Sequence, residues 1–183
     1  MRSLVLFAIL VLLPTFINAQ STEALQAFGT AVAESRKGNH AQALDGFGAT
    51  LAIIERDHSS DAFFAKVHYN AGVSLYHLDR PLESAIHLEK ALSYARGRHA
   101  KAYYVLGLIG MESNDLTLAK TALVNSAALD NRNGQTWYDL SRVYAALNER
   151  AKAKQAFERA KKNGAEIDSI ARNRSVAALT EHE

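Results

Sequence analysis

Apolar positions along most of this chain recur every three and four residues, in segments cut by short polar turns. Trp137, Leu140, Ser141 and Tyr144 fall at i, i+3, i+4 and i+7, which is one stripe of an α-helix. Ala153, Ala156, Phe157 and Ala160 repeat that spacing. Leu147-Asn148-Glu149-Arg150 between the two stripes is a short polar turn, so the pattern predicts two helices packed antiparallel.

The same pair of stripes recurs along the chain. A small residue sits at the centre of each first helix: Ala31, Gly72, Gly107 and Ser141, at intervals of 41, 35 and 34 residues. A period near 34 belongs to two-helix solenoid units. A mid-helix glycine costs roughly 1 kcal/mol relative to alanine, so Gly72 and Gly107 point to a neighbouring helix that needs the space. Ala153 and Ala160 suit the same close approach, and Trp137, Tyr144 and Phe157 fill what is left. On this reading Trp137→Ala opens a cavity costing about 3–5 kcal/mol.

The first interval is seven residues longer, two helical turns, which keeps the stripe in phase. Ile53 and Ile54 are expected to extend one helix, and Phe63 and Phe64 to begin the next early. Asp57-His58-Ser59-Ser60 is the expected turn, with Ser59 or Ser60 as N-cap. Pro81 suits an early helix position, Asn114-Asp115 and Asn133 precede helices, and Asn163-Gly164 closes one.

These residues resemble the tetratricopeptide repeat family. The fourth unit carries nearly its full pattern, and the third keeps Tyr103, Leu106, Gly107, Ala119 and Leu123 but has Gly110 and Ser126 where an aromatic and an alanine are usual. The second has His68 for the tryptophan and Ser84 for the first alanine; the first departs at Ala27 and Thr50. The family's closing proline is missing, and Asn131 stands in its place after unit three. The resemblance implies an all-α, right-handed α-solenoid of antiparallel helix pairs over residues 20–178. About four units are expected, at 24–57, 61–97, 100–133 and 134–164, with a C-terminal capping helix at 166–179 and a tail at 180–183.

Residues 1–19 stand apart from the repeats. Arg2, the apolar run Leu4 to Leu13, Pro14 and the small Ala19 before Gln20 make a cleavable signal peptide, cut after Ala19. The apolar run falls short of the ~20 residues needed to span a bilayer, so the mature chain is expected to be secreted or periplasmic without a stable membrane span. The absence of cysteine removes disulfides, thiol nucleophiles and thiolate metal sites. A net charge of +2 gives no nucleic-acid footprint. The basic run from Arg150 to Lys162 reads first as a solvated helix face.

The seven histidines raise a metal hypothesis, but none pairs with another at i+3 or i+4 and no HExxH motif occurs. His68, in the tryptophan position, reads as a packed core residue. No phosphate loop or nucleophile elbow occurs either. The chain is therefore expected to be no enzyme and to hold no cofactor or metal.

The resemblance further implies a concave groove lined by the first helices of successive units. Three positions before each small residue stand Phe28, Tyr69, Tyr104 and Tyr138, an aromatic ladder. Val73, Leu108 and Arg142 follow the small residue directly; Tyr76 and Met111 come four after it, and Lys66 and Lys101 six before it. Aromatics, Met and Arg are enriched where partners dock. The expected ligand is an extended peptide or amphipathic helix with apolar anchors. The chaperone-binding carboxylate clamp is not expected: Asn70 and Lys101 match it, but Phe28, Val32 and Val105 cannot donate. These features imply a protein- or peptide-binding adaptor of an extracytoplasmic compartment, an accessory or assembly factor of an envelope complex. The alternatives are a self-assembling structural subunit and, on the histidines alone, a metal-dependent hydrolase.

Overall fold

Residues 22–57 and 59–165 are described by the computed structural model, and they form eight helices and no strand. The expected leader at 1–19, His58, the capping helix at 166–179 and the tail lie outside the described residues. The helices are α1 (22–36), α2 (His40–Arg56), α3 (Asp61–His77), α4 (Pro81–Tyr94), α5 (Ala100–Glu112), α6 (Leu116–Leu129), α7 (Gly134–Ala146) and α8 (Arg150–Lys162). They fall into two compact units, the first ending at Ala95 and the second starting at Arg96.

The turn inside each pair is built the same way. Gly38, Asp79, Asn114 and Asn148 take positive φ values of 85°, 57°, 58° and 59°. Glycine, asparagine and aspartate tolerate that left-handed conformation best. Beside three of these residues the next backbone N–H reaches back to a carbonyl of the ending helix: Asn39 to Glu34, Arg80 to Leu75 and Glu149 to Tyr144, at 2.9–3.0 Å. A turn that reverses the chain so tightly returns the second helix against the first.

In the first unit the core is Phe47, Ile54, Phe64, Val67 and the alanines Ala24, Ala31, Ala43 and Ala71. The longer first interval is visible here, because α2 and α3 each run to 17 residues. Ile54 is fully buried in that extension, with Phe63 and Phe64 packed beside it. Ser60 is the N-cap residue of α3, but its hydroxyl makes no capping bond.

The small residues make the close approaches their positions call for. A Cβ on Gly72 would lie 2.9 Å from Leu88 Cγ, and one on Gly107 would lie 2.6 Å from Leu123 Cγ. Gly110 stands where the repeat pattern prefers an aromatic; there the α6 backbone is so near that a Cβ would meet Ala119 N at 2.6 Å. Ser84, which replaces an alanine, donates its buried hydroxyl to the Gly72 carbonyl at 2.7 Å. In the second unit Leu123, Leu140, Val143 and Ala119 form the core, with Tyr104, Met111, Trp137, Tyr144 and Leu147 packed against it.

Candidate interaction faces

In the first unit the expected groove positions lie on α1 and α3. Lys66 is exposed on α3, and its carbonyl accepts a bond from the Asn70 amide at 2.8 Å. Tyr69, Val73 and Tyr76 are half-buried along the same helix. Burial pushes the Tyr69 phenol up from its ordinary value. Phe28 on α1 is a packing residue: its ring meets Phe47 at 5.9 Å and Phe63 edge-on at 5.5 Å.

In the second unit Lys101 is exposed, and Leu108 and Met111 are half-buried on α5. Tyr138 is only 5 % exposed and packs against Phe157, so this rung of the ladder faces inward. Tyr104 is half-buried and donates its hydroxyl to the Asp139 carboxylate at 3.0 Å. Asp139 is 3 % exposed and is also reached by Arg142 at 3.3 Å and the Gln135 amide at 3.4 Å. Burial raises its pKa, while the Tyr104, Arg142 and Gln135 contacts pull it back. A pocket of about 230 Å³ lies beside this network, lined by Met111, Leu116, Arg142, Val143 and Ala146. Two of the expected groove residues, Met111 and Arg142, thus share one concave surface.

Asp139 is absent from the expected groove set. Its counterparts in the preceding units are the buried Val105 and, one unit earlier, the polar Asn70, so the register gave no sharp signal for a buried acid.

The histidines do come together, though not at helical spacing. His68 Nδ1 and His87 Nδ1 lie 3.2 Å apart between α3 and α4. His40 stacks on His77 with ring centroids 4.5 Å apart between α2 and α3. His68 is the buried residue its position suggested, with Tyr94 stacked on its ring at 5.7 Å. Among the described residues no group of three His, Cys, Asp or Glu side chains could hold a metal ion.

The basic run on α8 is largely engaged by its neighbours. Lys152 pairs with Glu149 at 2.6 Å and Lys161 with Glu158 at 2.7 Å, while Arg159 sits 4.5 Å above the Trp137 ring. No described helix is long and apolar enough to cross a membrane.

Residues 134–162, the α7–α8 pair, match the tetratricopeptide repeat family. Solved structures extend the likeness over most of the chain. A crystal structure of MamA is 17% identical with a TM-score of 0.68, covering 82% of this chain and 83% of that one. PilF of Pseudomonas aeruginosa is 21% identical with a TM-score of 0.70, covering 88% and 69%. YrrB, described as a TPR protein with an unusual peptide-binding site, is 19% identical with a TM-score of 0.62, covering 82% and 73%. The fold is therefore the all-α solenoid of helix pairs. No curated protein sequence matches this one.

Proposed function

We propose that the chain is a non-enzymatic adaptor of an extracytoplasmic compartment that captures a peptide segment or helix on the faces of its first helices. The observation that carries this reading is the pocket beside α5 and α7, where Met111, Leu116, Val143 and Ala146 supply an apolar wall and Arg142 a cationic rim. A peptide with one apolar anchor fits such a surface, and Met adapts to varied side chains. In the first unit Lys66, Tyr69, Val73 and Tyr76 offer a similar mix of charge and aromatic surface. The apolar leader at 1–19 supports the compartment. In such a compartment we read the chain as an accessory or assembly factor of an envelope complex.

Selection of peptides from a displayed library against the purified chain tests the reading. Binders are expected at micromolar Kd, on the order of −8 kcal/mol. Met111→Glu should weaken them at least about tenfold, or roughly 1.4 kcal/mol, in a chain whose circular dichroism shows it still folded. Binding indifferent to Met111 and Tyr69, or no selected peptide, rejects these faces.

Self-association is a second reading, favoured by Leu82 and Ile86, which stand 82 % and 53 % exposed one turn apart on α4. It predicts a concentration-dependent dimer in sedimentation that Leu82→Glu abolishes, and a monomer at high concentration disposes of it.

A further inference from the structure

We propose that the first unit is an acid-sensitive half of the chain, its helices held in register by two histidine pairs that cannot stay in contact once both rings of a pair are protonated. His40–His77 closes the α2–α3 seam and His68–His87 closes the α3–α4 seam.

The geometry carries this. A 3.2 Å Nδ1–Nδ1 separation needs one nitrogen to donate and the other to accept, and a doubly protonated pair has no acceptor. Rings stacked at 4.5 Å with a 16° interplanar angle likewise place two charges face to face once both are protonated. Among the described residues, the buried Nδ1 of His40 has no hydrogen-bond partner to share a proton with.

The groups around the pairs do not offset an added charge. Lys90 on α4 acts as a second cation on both His68 and His87. Tyr94 on α4 covers the His68 ring, and Tyr76 lies edge-on to His77 at 5.7 Å. Glu83 favours a charged His87, but its two oxygens already accept from Arg80 at 2.6 and 2.7 Å.

The direction of the pH effect follows. Burial, then His87 and Lys90, lower the His68 pKa to about 4; burial lowers His87, and burial with His77 lowers His40. Unfolded histidines titrate near 6.5. Opening therefore takes up protons, so stability is complete above about pH 6.5 and is lost as pH falls from there towards 4. His68 alone makes opening about twentyfold more favourable at pH 5 than at pH 7.

The second unit responds differently. Its described histidine, His99, accepts from the Ala102 N–H at the start of α5, so acid frays that turn. The raised pKa of Asp139 makes acid relieve, rather than impose, a buried charge.

Hydrogen exchange of the full chain at pH 7 and pH 5, corrected for the intrinsic rate, tests the proposal. Amides of α2, α3 and α4 should lose protection at least about tenfold at pH 5, while those of α6, α7 and α8 change by less than about threefold. H68Q should suppress the loss in α4, and H40N the loss in α2. Equal loss in both units, no loss, or full loss in α4 of a folded H68Q overturns it. Should H68Q fail to fold, the imidazole resonances of the unaltered chain decide: His68 titrating near 6.5 overturns the proposal, and titration well below that supports it.

Discussion

The Tyr104 hydroxyl and the Asp139 carboxylate, 35 residues apart on equivalent first helices, are joined by a 3.0 Å hydrogen bond. One repeat is thereby tied to the next through a buried acid. Tyr104→Phe removes the donor and leaves that acceptor under-satisfied, which should cost about 1–3 kcal/mol in chemical denaturation. Asp139→Asn keeps an acceptor and removes the buried charge, so the double variant should lose less than the sum of the singles.

The pH dependence of Asp139→Asn has a definite sign. Because burial raises the Asp139 pKa, the unaltered chain loses stability as pH rises from the ordinary carboxylate value through the raised one. The asparagine variant lacks that loss. Its stability relative to the unaltered chain should therefore be greater at pH 7 than below the ordinary carboxylate value, and a difference of opposite sign would remove burial as the dominant influence.

Glycines in this chain divide by what stands over them. Gly107→Ala would drive a methyl to 2.6 Å from Leu123 Cγ and Gly72→Ala to 2.9 Å from Leu88 Cγ, so each should destabilise by about 1–3 kcal/mol. Gly48, inside α2, has nothing within 4 Å of its would-be Cβ. Gly48→Ala should stabilise by about 0.5–1 kcal/mol through helix propensity. Thermal melts of the three variants check the contrast.

Trp137→Ala was expected to open a cavity costing about 3–5 kcal/mol, and the structure reduces that role. It is half-buried, donates its indole N–H to the Asn131 carbonyl at 2.9 Å and carries Arg159 on its face. Truncation leaves a hollow that water can enter, so Trp137→Ala should cost about 1–3 kcal/mol. Leu123 is fully buried against Gly107, and Leu123→Ala should cost about 2–5 kcal/mol. A larger loss at Trp137 than at Leu123 would restore the cavity expected from the sequence.

The architecture was legible because the signal repeats. Gly72 and Gly107 announced close helix contacts by spacing alone, and Leu88 and Leu123 fill those contacts. The interaction faces were less legible, since periodicity assigns a residue to a side of a helix and not to a depth. Tyr138 and Tyr69 share one repeat position, yet Tyr138 lies buried against Phe157 while Tyr69 stays half-buried. The histidine pairs were invisible for another reason. His68 and His87 are 19 residues apart, and only the turn at Asp79 brings their rings together.

Helix starts give the last test, because the same sequence signal has two structural outcomes. Ser60 and Asp115 both occupy N-cap positions. Asp115 accepts from the Thr117 and Leu118 N–H groups at 3.1 and 2.9 Å, satisfying two donors that α6 leaves unpaired. The Ser60 hydroxyl makes no such bond, and the Phe63 N–H turns instead to the Ser60 carbonyl at 2.9 Å. Asp115→Ala should therefore lower stability by about 1 kcal/mol, and Ser60→Ala by no more than a few tenths. Paired denaturation curves separate the two, and equal losses would mean that Ser60 caps α3 in solution.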